Sequence, residues 1–290
     1  MLVFAHRGHH VVFPENTLQA FDAAVRLGAD GIRTDVRLSG DGVAILFHAD
    51  QVRGRPVADL SRPDIARICG HPVPTLNEAL LRFEKLIWHI DIKAPAAVGA
   101  VLQAMTAFAA TRRMIVTSAQ HELVARCAGV APVPAGLLLS RAPSDLPALL
   151  AAYSASAWLR TLVWDQRILT PTLLRQARAA GWWNFVHGVD DPDSMRLLAR
   201  YGVDAVITDR PDLVPADVRV PPSPAPRSAG SGDGPAALAR EGQGAGAGTS
   251  GPVAPPAPAP SLVAEEPLPT LDAAALLRAS IKSWSGEDGR

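Results

Sequence analysis

Gly31-Ile32-Arg33-Thr34-Asp35-Val36-Arg37-Leu38-Ser39-Gly40-Asp41-Gly42-Val43-Ala44-Ile45-Leu46-Phe47-His48 holds two β-type runs, Gly31–Val36 and Val43–His48, with Ser39-Gly40-Asp41-Gly42 between them. A parallel crossover needs about a dozen residues or more. The link is too short for one, so Val43–His48 is expected to be the return arm of a hairpin. Other short apolar runs flank this pair: Leu2–His6, Leu86–Ile92, Met114–Ser118, Ala135–Leu139, Leu162–Asp165, Trp183–Val189 and Ala205–Thr208. Runs that are apolar throughout fit parallel strands buried on both faces. With the return arm set aside, eight strands remain, the number in an α/β (β/α)8 TIM barrel. A doubly wound open sheet is the competing arrangement.

Helical patterns fill most of the gaps, as an α/β domain requires. In the first, Asn16 is expected to cap, with Gln19 three residues on. Leu18, Phe21, Ala24 and Val25 form an apolar stripe, and Gly28 ends the helix. The pattern stops near residue 214, so the barrel is expected over 1–214. Pro/Ala/Gly-rich sequence follows, which buries too little apolar surface to offset chain entropy. It predicts a disordered linker over 215–268. Within 269–290, Thr270 or Asp272 offers a cap for a short helix carrying Leu276, Leu277, Ile281 and Trp284. A partner for this tail is not readable.

The 290 residues carry 28 Lys+Arg and 28 Asp+Glu. That balance argues against nucleic acid, which calls for basic excess, but leaves room for a small anionic substrate. Cys69 and Cys127 stand far apart in apolar surroundings and are expected to be buried free thiols. The start, MLVFAHRG, is not a secretory signal. No apolar run is long enough for a transmembrane helix. A cytoplasmic location is the resulting expectation.

Polar residues gather at the strand ends. His6 and Arg7 close the first strand, Asp35 the second and His48 the return arm. His89, Asp91 and Lys93 alternate along the next strand and share a face, and Asp209 follows the last. In a barrel, these ends form the active-site mouth. Each residue alone has a structural explanation. Together they make an acid/base and anion-binding set whose burial needs pairing or a ligand.

Several motifs then fall in order. His6-Arg7-Gly8, Pro14-Glu15-Asn16-Thr17, Gly28-Ala29-Asp30, Asp35-Val36, Asp41-Gly42 and Phe47-His48 come first. Pro74-Thr75-Leu76-Asn77-Glu78-Ala79-Leu80, Ile90-Asp91-Ile92-Lys93 and Gly202-Val203-Asp204 with Ile207-Thr208-Asp209 follow. The series resembles the glycerophosphodiester phosphodiesterase family over essentially 2–214. The resemblance implies a hydrolase that takes a small glycerophosphodiester to glycerol 3-phosphate and an alcohol. It also implies His6 and His48 as the acid/base pair, with Arg7 and Lys93 on the phosphate. It further implies a divalent cation, Mg2+ or Ca2+, with Asp35 and Asp91 as the metal ligands.

The sequence departs from the family pattern at that metal site. Arg33 stands where the family has a ligand Glu, His48 is followed by Ala49, Asp91 replaces a Glu, and His187 replaces a Trp. Arg33 and Asp35 are two apart and share a face. Three readings stay open. Asp35 and Asp91 hold the metal with waters; or Arg33 joins the phosphate-binding cations in place of the metal, as in the related bacterial phosphatidylinositol-specific phospholipases C; or the barrel only binds a phosphate ligand. Schiff-base chemistry at Lys93 is a fourth possibility, set against by the neighbouring Asp91.

Overall fold

The protein is described from a computed structural model, and the residues described are 1–219. In chain order the elements begin with β1 (Leu2–His6), α1 (Leu18–Arg26), β2 (Gly31–Leu38), β3 (Ala44–Leu46) and the small pair β4 (Gln51–Val52) and β5 (Arg55–Pro56). Next come α2 (Arg62–Cys69), α3 (Leu76–Arg82), β6 (Ile87–Ile92), α4 (Val98–Phe108), β7 (Arg113–Ser118), α5 (His121–Val130) and β8 (Ala135–Leu139). The series ends with α6 (Leu146–Ala152), β9 (Leu159–Asp165), α7 (Pro171–Ala179), β10 (Trp183–His187), α8 (Pro192–Arg200) and β11 (Ala205–Thr208).

The parallel strands run β1-β11-β10-β9-β8-β7-β6-β2, and a β1–β2 pairing closes the ring. This is the eight-stranded barrel. β3 lies antiparallel on β2 with Val36 opposite Leu46, so the Ser39–Gly42 link does make a hairpin.

Strand alternation divides the core. Leu2, Phe4, Ile87, Ile115, Val163, Phe185, Ala205 and Ile207 fill the barrel interior. The opposite faces of the strands pack on the helices, as Val3, Val186 and Val206 do with Leu174 and Met195. The helix starts are set locally: Thr17, Thr75, Thr170, Ser61, Asp145 and Asp191 each accept a main-chain N–H of the first turn. Among the described residues no helix is long and apolar enough to cross a membrane. Cys127 is buried, whereas Cys69 is only half-buried; both are free.

Two expectations are corrected. Thr17, not Asn16, caps α1, its hydroxyl accepting from Ala20 N at 3.2 Å. Asn16 instead adopts φ +57°, which turns its side chain away from the helix start. The packed chain also continues past 214: a 3-10 turn covers Ala216–Val218, and Val218 is buried against the α8 side of the barrel. Arg219 donates to the main-chain oxygens of Leu27, at 2.8 Å, and Gly28. An apolar side chain with a pocket to fill outweighs the Pro-rich composition around it. The remainder of the expected linker and the expected 269–290 helix lie outside the described residues.

Candidate active site

Strand register brings the polar residues together before any side chain is considered. His6 is level with Arg33, and Arg33 with His89. One layer nearer the mouth, Asp35 is level with Asp91, and Asp91 with Thr117. Level residues on parallel strands point to the same side, so these two rows line the top of the barrel interior. His89 belongs to the lower row. It is fully buried, bonds Thr117 Oγ1 at 2.7 Å and packs edge-on against Phe4. It is a core histidine beneath the mouth.

Arg33 sits at the centre. It is 3% exposed. Nη2 donates to Asp91 Oδ2 at 2.6 Å and Nη1 lies 3.2 Å from Asp35 Oδ1. Nη1 also donates to His6 Nε2 at 2.5 Å. Lys93 Nζ adds a second cation, 2.9 Å from Asp91 Oδ2 and 3.2 Å from Asp35 Oδ1. Arg7 Nε lies 2.8 Å from Asp35 Oδ2, while its Nη1 donates to Glu15 at 2.5 Å. Burial by itself would raise the Asp35 pKa. Arg33, the contact with His48, Lys93 and Arg7 together overcome it and hold the carboxyl well below the usual range.

This arrangement does not fit a divalent cation between Asp35 and Asp91. Hard ions take oxygen ligands at about 2.0–2.6 Å. Here the carboxylate oxygens that would face the ion already hold a guanidinium and an ammonium at hydrogen-bond distance. Three cations, Arg7, Arg33 and Lys93, meet two buried carboxylates, and the third carboxylate, Glu15, stands at the solvent edge.

The two histidines differ in environment. His6 is buried, with Nδ1 at 2.6 Å from Asp209 Oδ1. A guanidinium only donates, so Nε2 accepts from Arg33 and Nδ1 carries the hydrogen that goes to Asp209. Both neighbours thus select one tautomer. Burial, ahead of the opposing bond to Asp209 and seconded by Arg33, Arg7 and His187, lowers the His6 pKa to about 3. His6 is therefore a neutral acceptor at ordinary pH. His48 is 40% exposed in its side chain. Its Nδ1 lies 3.0 Å from Arg7 Nη2 and 3.3 Å from Asp35 Oδ2. The first contact suits Nδ1 as an acceptor, the second a ring with hydrogen on Nδ1 as a donor. Nδ1 has a partner in either role.

Backbone conformation aims these groups. Arg7 has φ +59°, and its N–H donates to Arg33 O at 2.6 Å. Gly8 follows at φ +83°, where a Cβ would stand 2.6 Å from the main-chain carbon of Ala20. The His-Arg-Gly turn therefore lies directly on α1. Asn16 Oδ1 accepts from Thr34 Oγ1 at 2.8 Å, and Nδ2 donates to Asp35 Oδ2 at 3.3 Å. Non-glycine residues at positive φ cost about 1–3 kcal/mol and persist where function or packing demands them.

The residues given a chemical role from the sequence, His6, Arg7, Arg33, Asp35, His48, Asp91 and Lys93, lie in this one cluster, whereas His89, read into the same set, sits beneath it. Asp209, Asn16 and Glu15 join it without having been assigned a part in the chemistry. Asp209 was visible as a strand-end carboxylate; Asn16 read as a helix cap. His187, in the place of a Trp, packs edge-on to His6 with ring centroids 4.7 Å apart. His10 Nε2 lies 3.1 Å from Asp209 Oδ1.

Residues 6–213 match the model of the glycerophosphoryl diester phosphodiesterase family. The glycerophosphodiester phosphodiesterase of Caldanaerobacter subterraneus subsp. tengcongensis is 28% identical over 237 residues, covering 73% of this chain and 95% of that protein. A probable glycerophosphodiester phosphodiesterase 2 of Mycobacterium tuberculosis is 30% identical over 241 residues, covering 73% and 89%. The crystal structure of the Thermotoga maritima glycerophosphodiester phosphodiesterase superposes with a TM-score of 0.66 at 25% identity, covering 73% of this chain and 96% of that one.

Proposed function

The chain belongs to the glycerophosphoryl diester phosphodiesterase family, and from that premise we propose that it hydrolyses small glycerophosphodiesters to glycerol 3-phosphate and an alcohol, with Arg33 supplying the positive charge at the phosphate. Members of the family generally depend on a divalent cation. The observation that supports a different device here is the Arg33 guanidinium, held by Asp35, Asp91 and His6 where the ion would lie.

The roles follow from charge and protonation. Arg33, Lys93 and Arg7 meet the phosphate oxygens, and guanidinium groups match them with paired donors. An anionic oxygen is a better acceptor than a neutral imidazole, so bound phosphate draws the Arg33 N–H away from His6 Nε2. The freed Nε2 takes the proton of the attacking water as its oxygen bonds to phosphorus. His48, beside Asp35, acts as the general acid and gives a proton to the departing alcohol oxygen as the P–O bond breaks. Asp209 holds His6 in its accepting tautomer. Asp35 and Asp91 position the cations and are not asked to ligate a metal.

The test is hydrolysis of glycerophosphocholine by the full chain, with glycerol 3-phosphate as the readout, in EDTA and in added Mg2+ or Ca2+. EDTA is expected not to lower the rate, and neither ion to raise it. Arg33→Ala should lower kcat about 10²–10³-fold, the scale of losing one preorganised charge donor. Activity abolished by EDTA and restored by Mg2+ or Ca2+ would refute the role given to Arg33. Turnover of no glycerophosphodiester would refute the hydrolase reading itself.

A further inference from the structure

On the outer side of His6, away from Arg33, three ligand atoms converge: His6 Nδ1, His10 Nε2 and Asp209 Oδ1. All lie within 4.8 Å of one another. The carboxylate oxygen is shared, 2.6 Å from His6 and 3.1 Å from His10. His10 Nε2 is buried yet makes no well-formed hydrogen bond. Its contact with the Asp209 carboxylate is an ion pair and not a well-directed N–H···O bond. Two imidazole nitrogens and a carboxylate oxygen thus face one another as a ready set of ligand atoms.

We infer that His6, His10 and Asp209 form a binding site for a borderline transition-metal ion, Zn2+ above all, and that its occupation switches the active site off. Zn2+ bonds imidazole nitrogen and carboxylate oxygen at about 2.0–2.2 Å, so tetrahedral ligand atoms stand roughly 3.4 Å apart. A slight spreading of the present contacts meets that. Two nitrogens and one oxygen select Zn2+ over Mg2+ and Ca2+, which require oxygen. The Arg33 charge meets the ring at its other nitrogen, leaving the Nδ1 side to the carboxylate.

The consequence for His6 follows from its tautomer. A metal on Nδ1 takes the lone pair there, and the ring hydrogen moves to Nε2. Nε2 then donates and cannot accept, so it faces Arg33 donor to donor and cannot take a proton from water. This second half of the inference rests on the proposed role of His6 as base; the metal site itself does not.

The experiment titrates EDTA-treated, desalted full-length chain with Zn2+ in a calorimeter and measures glycerophosphocholine hydrolysis over the same zinc series. One Zn2+ per chain is expected, bound at least tenfold more weakly by His10→Gln and equally well by the neighbouring control His9→Gln. Zinc should inhibit the wild type, and the inhibition constant should rise at least tenfold in His10→Gln, each protein being referred to its own zinc-free rate. Histidine ring NMR of the wild type supplies a reading free of mutation: sub-stoichiometric Zn2+ should shift His6 and His10 and leave the half-buried His71 unchanged. Tight binding that survives in His10→Gln, or that shifts other histidines instead, overturns the site. Binding as expected without inhibition overturns the switch. A chain with no hydrolase activity leaves calorimetry and NMR to decide the site, so its failure is separable from that of the functional reading.

Discussion

Asp209 is the residue whose contribution can be isolated most cleanly. It accepts from His6 Nδ1 at 2.6 Å, and the contacts with His10 and His6 overcome its burial to keep it ionised far below the usual carboxylate range. In Asp209→Asn the amide can turn its NH2 to Nδ1, which favours the opposite His6 tautomer. The expected loss in kcat is about 10²–10⁴-fold, by analogy with the orienting carboxylate of serine-protease triads. KM for glycerophosphocholine should change little, and the far-UV circular dichroism not at all. A fall confined to KM would mean that Asp209 acts on binding instead. Sequence reading reached the cluster's members because strand ends are where barrels place chemistry. It could not rank them. Asp209 looked like any residue after a strand, and nothing in the letters says that Asn16 sits at positive φ with its amide on Asp35.

Among the elements, the turn between β1 and α1 carries the most function per residue. Gly8 there has two independent reasons to be glycine: a φ of +83°, and the Ala20 backbone where a Cβ would go. Gly8→Ala must push the turn off α1, moving Arg7 and His6 together. Hydrolysis is expected to fall at least 10²-fold, since displacements of about 1 Å have that effect. The midpoint of thermal unfolding should fall too. A variant with full activity and unchanged stability would show that the contact with Ala20 is not needed. The Ser39–Gly42 hairpin was readable because its length excludes a crossover. The cap of α1 was not, since Asn16 and Thr17 are both good capping residues and only the site's demand on Asn16 decides between them.

At the scale of the whole molecule, the buried histidines make stability depend on pH. Burial holds His6 at about 3, and also lowers His89 and His187, with Arg33 adding to each. The unfolded chain protonates these rings near 6.5, while the folded one leaves them neutral. Their stabilisation is therefore complete above 6.5 and is lost as pH falls toward the folded values. His10, raised by its contact with Asp209, works the other way, but it is one group against three. Between pH 7 and pH 5 the His6 share is roughly 2 kcal/mol. Urea unfolding should show a lower midpoint at pH 5 than at pH 7, with a smaller difference in His6→Asn. Equal midpoints would show that His6 is not kept neutral. The barrel itself was legible from strand count and apolar runs. Its edge was not: Val218 is held by a pocket assembled from distant strands and helices, which no local composition records.

In the ring the first strand, β1, pairs with the last, β11, and that has a consequence for the order of events in synthesis. Every proton-carrying and phosphate-facing residue proposed here, from His6 to Lys93, leaves the ribosome early. The strand that brings Asp209 leaves more than a hundred residues later. Until it does, His6 has neither its orienting carboxylate nor a wall on that side. A nascent chain thus displays the whole reactive set without an aligned base, and competence comes only when the last strand completes the cylinder.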